Sequence, residues 1–154
     1  MDRRSCTRSS SRARRSPGAS AVADRHFIPA EVEALIPRLS AIMERVMRAN
    51  TEAAARGERL RAARQRVELA GGGIIDRAAW RDDEAALAHA TTTLREGLAA
   101  IAALGGVPKD LGLGLVDFPH MRGGETVNLC WKYGEESVQF WHGLDEGYAA
   151  RKLL

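Results

Sequence analysis

Three consecutive glycines, Gly71-Gly72-Gly73, interrupt what would otherwise be one long run of helix-forming sequence. Before them, apolar or small residues recur at Val32, Leu35, Leu39, Ile42, Val46, Ala53, Leu60 and Val67, in steps of three, four or seven. That spacing lines one side of an α-helix with heptad-like regularity. After them, Trp80, Leu87, Leu94, Leu98 and Ile101 repeat the alternation, with Glu84 and Thr91 filling two in-register positions. Glycine lacks a Cβ and loses the most freedom in a helix, so a glycine run is a stop. The pattern predicts helices over about 30–69 and 76–104, the second ended by Gly105-Gly106 and Pro108. Two apolar stripes joined by a short glycine loop make an antiparallel helical hairpin. Pro29 and Glu31 suit a helix N-terminus. Pro37 lacks an N–H and is expected to kink the first turns or to start a second helical segment.

The composition changes after Pro108. Both tyrosines, Tyr133 and Tyr148, and two of the three tryptophans, Trp131 and Trp141, lie between Gly112 and Leu154. Leu113–Phe118 is rich in strand formers, and Arg122-Gly123-Gly124-Glu125 reads as a turn. Thr126–Tyr133 alternates, with Val127, Leu129, Trp131 and Tyr133 on one face and Asn128, Cys130 and Lys132 on the other. Gly134-Glu135-Glu136 is the next turn, followed by Ser137–His142. These signals predict a three-stranded antiparallel meander over about 113–118, 126–133 and 137–142. Three short strands are marginal alone and must pack on the hairpin, which gives an α+β fold.

Several segments of this block resemble one protein family. They are K-D at 109–110, G-L-V-D-F-P at 114–119, L-C-W-x-x-G-E at 129–135 and W-H-x-L-D-x-G-Y-A at 141–149. The opening H-F-I-P-A-E-V-E-A-L-I-P at 26–37, with its proline inside the first helix, is similar too. Together they resemble an uncharacterised bacterial domain-of-unknown-function family, DUF 2203, over about residues 26–154. The resemblance implies a bacterial origin and a hairpin-plus-strands layout, and it carries over no activity, ligand or catalytic residue.

Charge is unevenly distributed. Residues 1–25 hold seven arginines against two aspartates, a net of +5, so the remaining residues sum to −2 within the total of +3. This Ser/Arg-rich stretch is too poor in apolar residues to offset chain entropy and reads as a disordered basic tail. It has no apolar signal-peptide core. It reads as passive or as the product of a start codon assigned too early, and nucleic acid is not an expected partner beyond weak contact of these residues with phosphate charge. A single domain is expected over 26–154. The arginines at 56, 59, 61, 64 and 66 alternate with Glu52, Glu58 and Glu68, and no aromatic residue interleaves to stack a base, so they read as a solvated helix face. No stretch approaches the ~20 apolar residues of a membrane span. Two cysteines, Cys6 and Cys130, make no disulfide framework, and a reducing cytoplasm is the expected location.

The candidate site lies in the C-terminal block and comprises Asp117, Cys130, Trp131, Trp141, His142, Asp145 and Glu146. His142 ends a predicted strand and two carboxylates follow within a turn, an arrangement that orients an imidazole for acid–base work or completes a metal site. Cys130 and His120 would add a soft ligand and a second imidazole. Against a metal stand the absence of CxxC, HExxH or any other ligand spacing, and a register that points Cys130 away from His142. Trp131 and Trp141 are expected on opposite faces, leaving one as a partner surface. Asp117 is expected to cap the turn at Pro119 or to meet Lys109, Arg122 or Arg151. Gly112 and Gly114 form no nucleotide-binding motif. The sequence reading therefore favours a non-enzymatic cytoplasmic interaction or scaffold domain, either a homodimer or a binder of another protein, without cofactor or metal. The alternative is a small enzyme or a metal- or ligand-binding protein centred on His142, Asp145 and Glu146.

Overall fold

The computed structural model describes residues 25–71 and 75–154. The expected tail, apart from Arg25, and Cys6 within it lie outside the described residues. Helix α1 runs over Pro29–Leu69 and α2 over Arg77–Ala103. Five strands follow: β1 (Val107–Asp110), β2 (Leu115–Arg122), β3 (Glu125–Lys132), β4 (Phe140–His142) and β5 (Lys152–Leu153). A 3-10 turn at Tyr148–Ala150 precedes β5. All neighbours in the sheet are antiparallel and the spatial order is β1-β2-β3-β4-β5. The fold is α+β, as expected, but the meander has five strands rather than three. Among the described residues, no helix is long and apolar enough to cross a membrane.

Helix α1 stays continuous through Pro37 rather than dividing there. The buried residues Ile36 and Leu39 on either side show why, since tertiary packing outweighs one missing backbone hydrogen bond. Ile28 has no side-chain acceptor, so the helix start relies on the Glu31 carboxylate, which accepts the Ile28 N–H at 2.9 Å. At α2 the Asp76 carboxylate accepts from the Ala78 and Ala79 N–H groups, a full N-cap.

Two layers share the core. Val32, Ile36, Leu39, Ile42, Met43 and Val46 of α1 pack with Ile101 of α2 and with Val116, Phe118, Leu129 and Trp131 of the sheet. The β2–β3 register pairs Val116 with Trp131 and Phe118 with Leu129, so these four side chains share the face toward the helices. Phe27, just before α1, locks the layers together. Its N–H donates to the Pro119 carbonyl at 2.7 Å, its carbonyl meets His120 Nδ1 at 2.7 Å, and its ring stands edge-on to Phe118 at 5.3 Å. Gly105, at φ +89°, makes room for that ring, because a Cβ there would lie 2.3 Å from it.

The register of β4 corrects the expected faces. Asn128 pairs with His142, Leu129 with Trp141 and Cys130 with Phe140. Trp141 therefore shares the helix-facing side with Trp131, packing at the core's margin beneath Arg122 and Lys152. Cys130 and His142 share the opposite face. The cause is Val138, which the alternation assigned to a strand but which is buried in the core from an irregular segment ahead of β4. A one-residue change of phase moves every side chain to the other face.

Helix packing is tightest at Gly97, where a Cβ would fall 2.3 Å from Cγ2 of the buried Val46, whereas Gly57 has nothing within 4 Å. Gly97→Ala is expected to destabilise the fold by about 1–3 kcal/mol through overpacking. Gly57→Ala should stabilise it by about 0.5–1 kcal/mol through helix propensity. Urea unfolding of the two variants checks both signs. Equal effects would mean that the helices are not in this register.

Candidate functional site

The outer face of the sheet, away from the helices, is also covered. Asp117 of β2, Asn128 and Cys130 of β3 and His142 of β4 are all buried there. The register puts them side by side, with Asp117 opposite Cys130 and Asn128 opposite His142. The cover is residues 143–153, which turn back across the face and add β5 to β4. Arg151 holds this strap down. Its Nη2 donates to the Glu135 carboxylate at 2.8 Å and to the Cys130 carbonyl at 3.2 Å, and its guanidinium lies over Phe140 at 4.1 Å. Glu146 braces the start of the strap, accepting the Gly143 N–H at 2.7 Å and the Lys152 ammonium at 2.8 Å. These donors hold the Glu146 carboxyl below the usual range, with Lys152 the main cause.

One oxygen of Asp117, one ring nitrogen of His142 and the Cys130 sulfur lie within 4.8 Å of one another, all three residues being buried. His142 Nδ1 is 2.8 Å from the Gly143 carbonyl. A carbonyl only accepts, so Nδ1 carries the hydrogen, and in neutral imidazole Nε2 then presents a lone pair. That atom faces Asp117 Oδ2 at 3.1 Å, and among the described residues neither Asp117 oxygen meets the geometry of a hydrogen bond, although the Cys130 thiol lies against the carboxylate. Two acceptors in contact in a buried setting repel unless a cation, either a proton or a metal ion, sits between them. The nearest ammonium, Lys109 Nζ, is 3.8 Å from Oδ2 and 46% exposed, too far for a hydrogen bond. Lys109 occupies an irregularity of β1, where pairing passes from Pro108↔Val116 to Asp110↔Leu115.

Cys130 is no activated nucleophile in this setting. Burial, with the Asp117 carboxylate adding to it, pushes the thiol up to about 12. His142 directs its free nitrogen at Asp117, and the catalytic triad order, in which the imidazole stands between thiol and carboxylate, is absent. A pocket of about 90 Å³ opens onto the cluster, lined by Lys109, Leu115, Glu146 and Tyr148 beside Asp117, Cys130 and His142.

Of the residues singled out from the sequence, Asp117, Cys130 and His142 come together, and Glu146 stands at the pocket wall. Asp145 is exposed and lines no part of the pocket. Trp131 and Trp141 lie on the other side of the sheet, Trp131 fully buried with its Nε1 donating to the Glu135 carbonyl. His120 faces Phe27 instead of the cluster. Lys109, one of the expected partners of Asp117, stands 3.8 Å from it, and Tyr148, which has no signal in the sequence, completes the lining.

Residues 25–154 match the family described as uncharacterized conserved protein (DUF2203), and the chain belongs to it. No curated protein and no solved structure matches the chain.

In metal-free protein the Asp117 carboxylate faces the His142 lone pair without a hydrogen bond, so Asp117→Asn should raise stability after chelation by about 1–3 kcal/mol. The amide would donate to His142 Nε2 where the carboxylate cannot. Thermal unfolding in chelator checks this, and a clear loss of stability would mean that a proton already bridges the pair.

Proposed function

We propose that this member of the DUF2203 family is a transition-metal-binding protein. Zinc or a similar divalent ion is held by Asp117, Cys130 and His142, with one coordination position open to the pocket. The observation that carries this reading is the buried contact between His142 Nε2 and an Asp117 carboxylate that makes no hydrogen bond among the described residues. A cation satisfies both atoms at once. The spacing suits a small ion, since two nitrogen or oxygen donors on tetrahedral zinc stand about 3.3 Å apart. Thiolate, imidazole and carboxylate together favour zinc-like ions over magnesium or calcium. A dication also reverses the setting of Cys130, because a coordinated thiol is deprotonated outright. The Nδ1–H bond to Gly143 is the outer-shell contact that fixes a metal-bound imidazole. Three protein ligands with a fourth position left open characterise zinc sites that bind a further ligand, rather than closed structural ones.

Chelated protein should take up one equivalent of Zn²⁺ or Co²⁺, the cobalt form showing thiolate-to-metal charge-transfer absorption in the near ultraviolet. Metal at a hundredfold excess over its dissociation constant should stabilise the fold by about 2.7 kcal/mol. Cys130→Ser should lose the charge-transfer band. No uptake, or a band that survives Cys130→Ser, overturns the reading.

A second reading, compatible with the first, is self-association through the hairpin. Beyond Ala49 the only buried residue of α1 is Leu60. There the two helices leave a groove of about 440 Å³ lined by Leu60, Val67, Ile75 and Trp80 among others. Arg59 and Arg66 edge it on α1, and Asp76 and Asp83 at the start of α2. Arg59 already pairs with Asp83 at 3.4 Å and Asp76 caps α2, so a second copy related by a two-fold axis would contribute burial of Val67, Ile75 and Trp80 rather than new ion pairs. Light scattering on size-exclusion fractions should give the mass of a dimer, and Trp80→Glu should give a monomer of unchanged helicity. A wild-type monomer at high concentration overturns this reading.

A further inference from the structure

We infer that the pocket beside the Asp117–Cys130–His142 centre takes one small monoanionic oxyanion, of carboxylate or bicarbonate size, which binds the metal and Lys109 together. This rests on the metal reading above. The charge count leads to it. A dication with one carboxylate, one thiolate and a neutral imidazole is a neutral centre. Glu146 and Lys152 at the strap cancel each other across 2.8 Å. Lys109 is then the remaining charge on the pocket lining, and its nearest acidic partner is Asp117, 3.8 Å away. Once a metal occupies Asp117, the ammonium no longer faces a free carboxylate, and the lining carries a single positive charge. A neutral ligand leaves that charge unmatched and a dianion exceeds it, whereas a monoanion balances it.

Size narrows the choice. At about 90 Å³ the pocket is small, so the buried part of a ligand has only a few non-hydrogen atoms. Sites for larger organic ligands enclose about 300–1,000 Å³. A planar carboxylate meets both needs, with one oxygen on the open metal position and the other toward Lys109 Nζ. Lys109 is half exposed and reaches in from the edge strand β1, so its ammonium can follow the ligand.

The test uses full-length protein loaded with Co²⁺, whose visible absorption changes when the fourth ligand is exchanged. Formate, acetate and bicarbonate are titrated, with acetamide as a neutral match for acetate and benzoate as an oversized anion. Saturable spectral changes with at least one small anion, and none with acetamide or benzoate at the same concentrations, are expected; formate against bicarbonate distinguishes the two sources. Lys109→Gln, which removes no metal ligand, should keep the thiolate-to-cobalt band and weaken anion binding at least tenfold. An equal response to acetamide, or unchanged anion affinity in Lys109→Gln, overturns the inference. A cobalt band with no anion response overturns it while leaving the metal reading in place. Absence of the cobalt band overturns both.

Discussion

The pairing of β2 with β3 is the constraint on which the rest of the structure depends. Val116 lies opposite Trp131 and Phe118 opposite Leu129, so large apolar side chains gather on one side of the two central strands. Between them, Asp117 lies opposite Cys130 on the other side. The same eight-residue register therefore builds the core and assembles two members of the buried polar cluster. A slip by one residue would turn Asp117 toward α1 and Trp131 outward, at a cost no local rearrangement could offset. Core packing thus holds the cluster in place, and no residue of the cluster has to supply that stability itself.

Antiparallel sheets commonly bury one face and leave the other wet. Here both sides of the central strands are closed, one by a helical layer and the other by a single strap of chain. The strap creates a setting a solvated face would lack, with low dielectric around a carboxylate, an imidazole and a thiol. In water, proximity of these groups would cost little and mean little. Out of water, an unmatched acceptor pair costs several times more, which makes the arrangement chemically informative.

The helices were legible because each carries a recurring stripe of mostly apolar residues and a glycine stop, signals that depend on neighbours in sequence alone. The site was only half legible. Asp117, Cys130 and His142 each stood out, but their union depends on which residue of β3 faces which residue of β4. That pairing is set by Val138, buried from an irregular segment that alternation reads as strand. Strands β1 and β5 escaped notice for local reasons: β1 contains Pro108, which suits only an edge position, and β5 is two residues long. Lys109 and Tyr148 have no signal of their own, because what brings them to the pocket is an irregular edge pairing and a return of the chain.

The strap sets how easily the outer face of the sheet can be uncovered. It is held by a two-residue strand, one arginine and one lysine–glutamate pair, with Leu144, Tyr148 and Leu153 exposed along it. Such a segment opens at a small fraction of the free energy needed to unfold the helices and central strands. Uncovering the outer face is therefore a local undocking, on a clock separate from that of global unfolding. A chain of high overall stability can still uncover this face often, and a change at Arg151 would alter how often it does so while leaving the thermal midpoint of the core nearly untouched.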